Sequence, residues 1–163
     1  MLNKKKVALL GAIAAVAMAS TGAQAATETA DAQVRIIAAV QLVEVNALNF
    51  GIVAPGAAAG IVTISTTSDT PTCDLGLSCV GTTTRGRFTV TGASGQTVAI
   101  AVDPTVTLNS GGNTMSVALT PSTTTVATTG SPVAFFVGGA LSVGASQVAG
   151  NYVGTFTVTA NYQ

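Results

Sequence analysis

From Tyr152 to the last residue of the sequence, apolar and polar positions alternate. Tyr152, Gly154, Phe156, Val158, Ala160 and Tyr162 form one set, and Thr155, Thr157, Thr159 and Asn161 the other. Alternation of this kind predicts a β-strand with one buried side, extending over Gly150–Gln163. An aromatic at the penultimate position of such a strand suits docking or assembly better than chemistry.

The same reading extends upstream. The apolar run Val34–Val45, interrupted only by Arg35, Gln41 and Glu44, reads as one long strand, although Ala38 and Ala39 leave a helix open. Asn46–Gly51 ends it at a turn, and Pro55–Gly60 is a small-residue loop before a strand at Gly60–Thr66. Arg87–Thr91 and Gln96–Val102 flank Gly92-Ala93-Ser94-Gly95 and read as a hairpin. Val106–Leu108 and Met115–Leu119 flank a tight turn at Gly111-Gly112-Asn113. Pro121–Pro132 is a Thr/Ser-rich loop, and Val133–Val137 turns at Gly138-Gly139 into Ala140–Val143.

About eight short strands separated by Gly, Pro and Asn, with no firm helix, predict an all-β fold. A single antiparallel β-sandwich, immunoglobulin-like or jelly-roll in outline, is expected. Ile61, Val62, Ile64, Phe88, Val90, Ile100, Phe136, Leu141, Phe156 and Val158 are the expected core.

The N-terminus follows a different rule. Lys4–Lys6 form a positive region, Val7–Ala19 an apolar one, and Ala23-Gln24-Ala25 an A-x-A cleavage site. These are the parts of a signal peptide over residues 1–25, too short in its apolar stretch to anchor in a bilayer. A polar leader, Ala26–Gln33, then precedes one domain over 34–163, with no transmembrane segment in the mature chain. The expected location is the periplasm, the cell surface or an extracellular fibre.

Cleavage would also remove every lysine. Arg35, Arg85 and Arg87 then face Glu28, Asp31, Glu44, Asp69, Asp74 and Asp103, a net charge of −3. No basic footprint for nucleic acid or acidic lipid is left. Charged residues are only 7% of the chain, against the usual quarter, and Thr, Ser, Gly, Ala and Val replace them. Such a surface guards poorly against pairing at strand edges, which matters if pairing is the function.

Cys73 and Cys79 lie six apart within Ser68–Thr83. In an exported chain an even cysteine count favours a disulfide, contributing about 2 kcal/mol by loop entropy. A metal centre would need partners, and the chain has no histidine and no third cysteine. Without histidine the commonest general base is missing, and there is no G-x-S-x-G elbow. Asp69 and Asp74 are the one candidate pair for calcium, but they lack D-x-D-x-D-G spacing. Arg85 and Arg87 suit an anion, the loop aspartates, or a solvated edge. The chain is expected to be no enzyme and to need no cofactor.

Three segments together resemble a known family. They are Leu48-Asn49-Phe50-Gly51, Val137–Val143, and the closing Gly150…Tyr152-Val153-Gly154…Val158–Gln163. They resemble domain of unknown function 4402, a secreted all-β family of Gram-negative bacteria that is similar in turn to chaperone–usher pilins and spore-coat-U-like subunits. In pilins a glycine fourteen places from the end and a penultimate tyrosine bracket the strand held by the periplasmic chaperone. Gly150 and Tyr162 stand at those places here.

The resemblance implies an incomplete sandwich whose groove takes a strand from a like subunit, or first from a chaperone of the chaperone–usher type. Gly150, Tyr152, Phe156, Val158 and Tyr162 would mark the docking strand. Two departures from pilins stand out: Cys73 and Cys79 close a local loop, and the leader Ala26–Gln33 is polar for a donor. Val34–Val45 is apolar enough to donate and equally suits the domain's own first strand. The leading expectation is a non-enzymatic, pilus-like structural subunit. The alternative is a self-complete periplasmic or cell-surface binding module for carbohydrate or protein, reading its ligand through Ser68–Thr83 and Pro121–Pro132.

Overall fold

The computed structural model describes residues 25–163, so the expected signal peptide lies, but for Ala25, outside them. Residues 25–40 carry no helix or strand. The long strand expected over Val34–Val45 therefore shrinks to β1 (Gln41–Asn46). Val34 and Ile36 are apolar but 88% and 90% exposed, with no ladder partner among the described residues.

Eleven further strands follow. They are β2 (Ile52–Ala54), β3 (Gly60–Ile64), β4 (Thr72–Cys73), β5 (Ser78–Val80), β6 (Gly86–Thr91) and β7 (Gln96–Val102). Then come β8 (Thr105–Ser110), β9 (Asn113–Pro121), β10 (Thr125–Thr128), β11 (Val133–Val143) and β12 (Val158–Tyr162). No helix occurs among the described residues, and every ladder is antiparallel. The expected all-β sandwich is the observed one.

β11 is the spine of a seven-stranded sheet. Its Val133–Val137 half pairs with β6, while Gly139–Val143 pairs with β3 and Val137–Ser142 with β9. β1 extends this sheet beyond β6, β4 beyond β3, and β8 beyond β9. Gly138-Gly139 is not the turn that the sequence predicts, because β11 runs straight through it. A Cβ on Gly138 would fall 2.5 Å from the Ile64 carbonyl oxygen, and one on Gly139 2.8 Å from Val117 Cγ1. Glycine here lets neighbouring strands approach closely.

The second layer is the three-stranded sheet β10–β7–β12. β7 pairs with β10 and β12, not with β6, so the hairpin expected at Gly92–Gly95 is instead a crossing between layers. Alternation identified two half-buried strands correctly but could not say which neighbour each would pair with. The loop expected at Pro121–Pro132 also contains β10, whose Val126 is 6% exposed. β8 and β9 do form a hairpin, closed around Gly111 and Gly112 at φ 54° and 91°. Positive φ at both central residues is the type I′ geometry that matches strand twist.

The two layers share one core. Val62, Val90 and Val137 of the large sheet and Val98 of the small one are wholly buried, and Phe135 is nearly so. The Phe88 ring stacks on Phe135 at 5.6 Å and meets Phe156 edge-on at 6.2 Å. Burial of each such side chain contributes roughly 1.5–3 kcal/mol.

Of the expected core, Val62, Ile64, Phe88, Val90, Ile100 and Leu141 are buried, and Phe156 and Val158 are half-buried. Two positions are corrected. Ile61 is 44% exposed, and Phe135 takes the core place expected of Phe136. Adjacent residues of a strand face opposite ways, so only one phenylalanine of the pair can point inward.

Candidate functional site

The C-terminal segment departs from the single strand that alternation predicts. Only Val158–Tyr162 is laddered, pairing with β7 from Val158 opposite Val102 to Tyr162 opposite Val98. One residue earlier, the Thr157 carbonyl accepts from Asp103 N at 3.0 Å, and Thr157 N donates to Asp103 Oδ2 at 2.7 Å. The next backbone pairing upstream joins Val153 to Asn109, at 2.8 and 3.1 Å. Between these anchors, Pro104–Leu108 stand opposite only Gly154–Phe156, so the register slips.

Pro104 has no N–H to offer a ladder, and the Asp103 carboxylate supplies a hydrogen bond in its place. Residues 150–157 are therefore an unladdered approach to β12, bridged once to β8. The burial alternation nonetheless survives: Tyr152, Phe156, Val158, Ala160 and Tyr162 are half-buried among exposed neighbours, and only Gly154 breaks the pattern.

The side chains assigned to docking turn toward the chain's own core. Phe156, Val158 and Tyr162 pack against it. The Tyr162 hydroxyl accepts from Ala93 N at 2.6 Å and donates to the Ala38 carbonyl at 2.8 Å. It thus ties the crossing between layers to the segment ahead of β1. Tyr152 donates its hydroxyl to the Val148 carbonyl and accepts from Gln147 Nε2, both at 2.8 Å. Gly150 abuts Ser110, whose side chain occupies the space a Cβ would need. The outer backbone edge of β12 stays open, since β12 pairs with β7 alone among the described residues.

Beside this segment lies an apolar cleft of about 800 Å³. Val106, Leu108, Met115, Val117, Leu141 and Val143 form its floor. Leu48, Phe50, Ile52, Val53 and Pro55 form one wall, and Val148, Tyr152, Val153 and Phe156 the other. No charged residue lines it. Three aliphatic residues at its lining stay exposed: Ile52 at 66%, Val148 at 55% and Val153 at 63%. An apolar hollow bordered by exposed aliphatic side chains is a signature of an interaction site.

The turn that the sequence predicts over Asn46–Gly51 hides this cleft. The available signal was the alternation of Leu48, Phe50 and Ile52 against Asn49 and Gly51. Asn49 bridges Thr84 through its backbone at 2.8 and 3.0 Å, which holds this arm extended.

The remaining candidates are spread apart. Cys73 and Cys79 are joined as a disulfide, with Cα atoms 6.5 Å apart. Asp74 Oδ2 accepts from Ile61 N at 2.8 Å. Asp69 Oδ1 accepts from Arg85 N at 2.9 Å and lies 3.5 Å from Arg85 Nε. The Arg85 guanidinium also donates to the Thr66 carbonyl at 2.7 Å and sits 3.9 Å over the Phe136 ring.

Arg85 therefore pairs with a loop aspartate, and the two aspartates serve different backbone groups instead of converging on one ion. No cluster of metal-ligating side chains occurs among the described residues. No helix among them is long and apolar enough to cross a membrane. Ser68–Thr83 and Pro121–Pro132, expected to carry recognition in a binding module, contribute nothing to the cleft lining.

Comparison with known families gives one match. The model described as Domain of unknown function (DUF4402) matches residues 40–162, which takes in β1 through β12 and both walls of the cleft. No curated protein and no solved structure matches significantly.

Proposed function

This chain belongs to the DUF4402 family, a designation that carries no activity, and from its geometry we propose that it is a non-enzymatic, exported structural subunit that assembles by β-strand complementation. The observation that carries this reading is the uncharged cleft between the Leu48–Pro55 arm and the C-terminal arm. Most of its floor is buried, while Ile52, Val148 and Val153 stay exposed at its lining. An incoming extended segment would place alternate side chains on the floor and offer main-chain hydrogen bonds to the unladdered backbone of the C-terminal arm.

The occupant is an extended apolar segment of a like subunit, or of a chaperone before assembly. Val34–Val40 has the required pattern: Val34, Ile36, Ala38 and Val40 alternate with Arg35, Ile37 and Ala39. The first set suits an uncharged floor, and Arg35 would point away from it in such a docked strand. Val34 and Ile36 are almost fully exposed. Export fits the disulfide and the scarcity of charge.

A double variant, Val148→Asp with Val153→Asp, tests the reading. Both residues are more than half exposed, so the fold tolerates the change. The expected result is a folded monomer with no detergent-resistant ladder on unboiled gels, where the parent protein gives one. A ladder that survives both charges would refute the proposal.

A second reading is favoured by one observation, the cleft volume, which falls within the roughly 300–1,000 Å³ of small-ligand pockets. A self-complete binding module would use the same hollow for an apolar ligand. Parent protein that stays monomeric and unfolds cooperatively without a partner would favour it.

A further inference from the structure

We infer that the Cys73–Cys79 disulfide is a redox latch on one wall of the cleft, an inference that rests on the cleft being the assembly site. The wall residues Ile52 and Val53 belong to β2, which pairs only with β5. This two-stranded ribbon shares no ladder with either larger sheet. In its register Val53 stands opposite Cys79. Cys73 lies in β4, opposite Val62 of β3, within the seven-stranded sheet. One sulfur–sulfur bond therefore joins the middle of the cleft wall to the sheet that carries the core.

Besides the packing of Val53, Leu77 and Cys79 against the core and the Leu77 N to Asp74 carbonyl bond at 3.1 Å, few hydrogen bonds hold the ribbon. The Asn49–Thr84 bridge secures its base, and Ser146 N donates to the Gly56 carbonyl beyond its far end at 3.0 Å. Neither reaches Val53 or Cys79. A ribbon with three residues per strand does not hold its place in water unaided, so its position depends on what it is fastened to. The loop between the cysteines projects outward, with Leu75 fully exposed and Gly76 at φ 95°.

Opening the latch requires a dithiol reductant. A thiolate of the reductant attacks one sulfur and forms a mixed disulfide. Its second thiol then closes the reductant into a cyclic disulfide. Two electrons and two protons pass from the dithiol to Cys73 and Cys79, which leave as thiols. In the oxidised form the Ile52–Val53 wall is fixed and the cleft keeps both sides. In the reduced form the wall moves as a unit away from the floor, and an incoming strand loses its contacts with Ile52 and Val53.

The test uses the full chain as a monomer, oxidised or treated with dithiothreitol, followed by amide hydrogen exchange. Residues 51–55 and 78–80 are expected to exchange at least about tenfold faster after reduction, while β7, β9 and β11 keep their protection. A synthetic peptide of residues 32–40 should bind the reduced form at least about tenfold more weakly. The double variant Cys73→Ser, Cys79→Ser should match the reduced protein and no longer respond to dithiothreitol. Unchanged exchange at 51–55 and 78–80, or equal acceleration throughout the domain, overturns the latch. A peptide that binds neither form overturns the assembly reading instead, and the exchange result then decides the latch alone.

Discussion

The two ends of the sandwich are made from the same alternating strands, yet only one of them opens into a cleft. At the filled end Val90, Val98, Phe135 and Val137 lie between two layers in contact. Side-chain hydroxyls there fasten the crossing from β6 to β7. Thr128 Oγ1 donates to the Ala93 and Gln96 carbonyls at 2.6 and 3.0 Å, and the Tyr162 hydroxyl accepts from Ala93 N. At the other end Val106, Leu108, Met115 and Leu141 present a similar apolar face beneath a cleft of about 800 Å³ between the two arms. An alternating pattern tells which side of a strand is apolar. It does not tell whether the same chain supplies the cover.

This contrast predicts a gradient of mutational effects. Phe135→Ala should be the most damaging, at about 3–5 kcal/mol, because it removes a ring stacked on Phe88 from a closed core. Chemical denaturation would measure it, and a loss near 1 kcal/mol would mean that the filled end is not the stability centre. Tyr162→Phe should cost about 1–3 kcal/mol by the same measurement, since it leaves Ala93 N without its acceptor and releases the Ala38 carbonyl.

Leu108→Ala, on the cleft floor, should cost under about 2 kcal/mol, because the side chain is only half-buried there. If it matched Phe135→Ala, the distinction between the two ends would fail. Arg85→Lys should be the mildest, at no more than about 1 kcal/mol. It loses the flat stacking on Phe136, while its ion pair with the exposed Asp69 is screened by water. Raising the salt concentration should leave that small difference nearly unchanged.

The fold class was legible because Thr- and Val-rich alternation is a local signal, and so was the inward face of Phe156, Val158 and Tyr162. The partners of those strands were not. The Arg87–Thr91 and Gln96–Val102 runs look like a hairpin in one dimension, and only the packing of Val98 and Ile100 into the opposite layer separates them. Gly138-Gly139 looks like a turn until the Ile64 carbonyl and the Val117 side chain occupy the space of their missing Cβ atoms. The disulfide was legible from cysteine count and expected export. Its connection to the cleft wall was not, because Val53 meets Cys79 only through a register that neither segment encodes alone.

The C-terminal stretch touches β8 of one layer at Val153 and then runs along β7 of the other from Val158. Tension applied along it would reach both layers together, loading the five β7–β12 pairs in shear instead of opening them one at a time. A chain wired in this way resists being peeled apart when pulled along its C-terminal stretch.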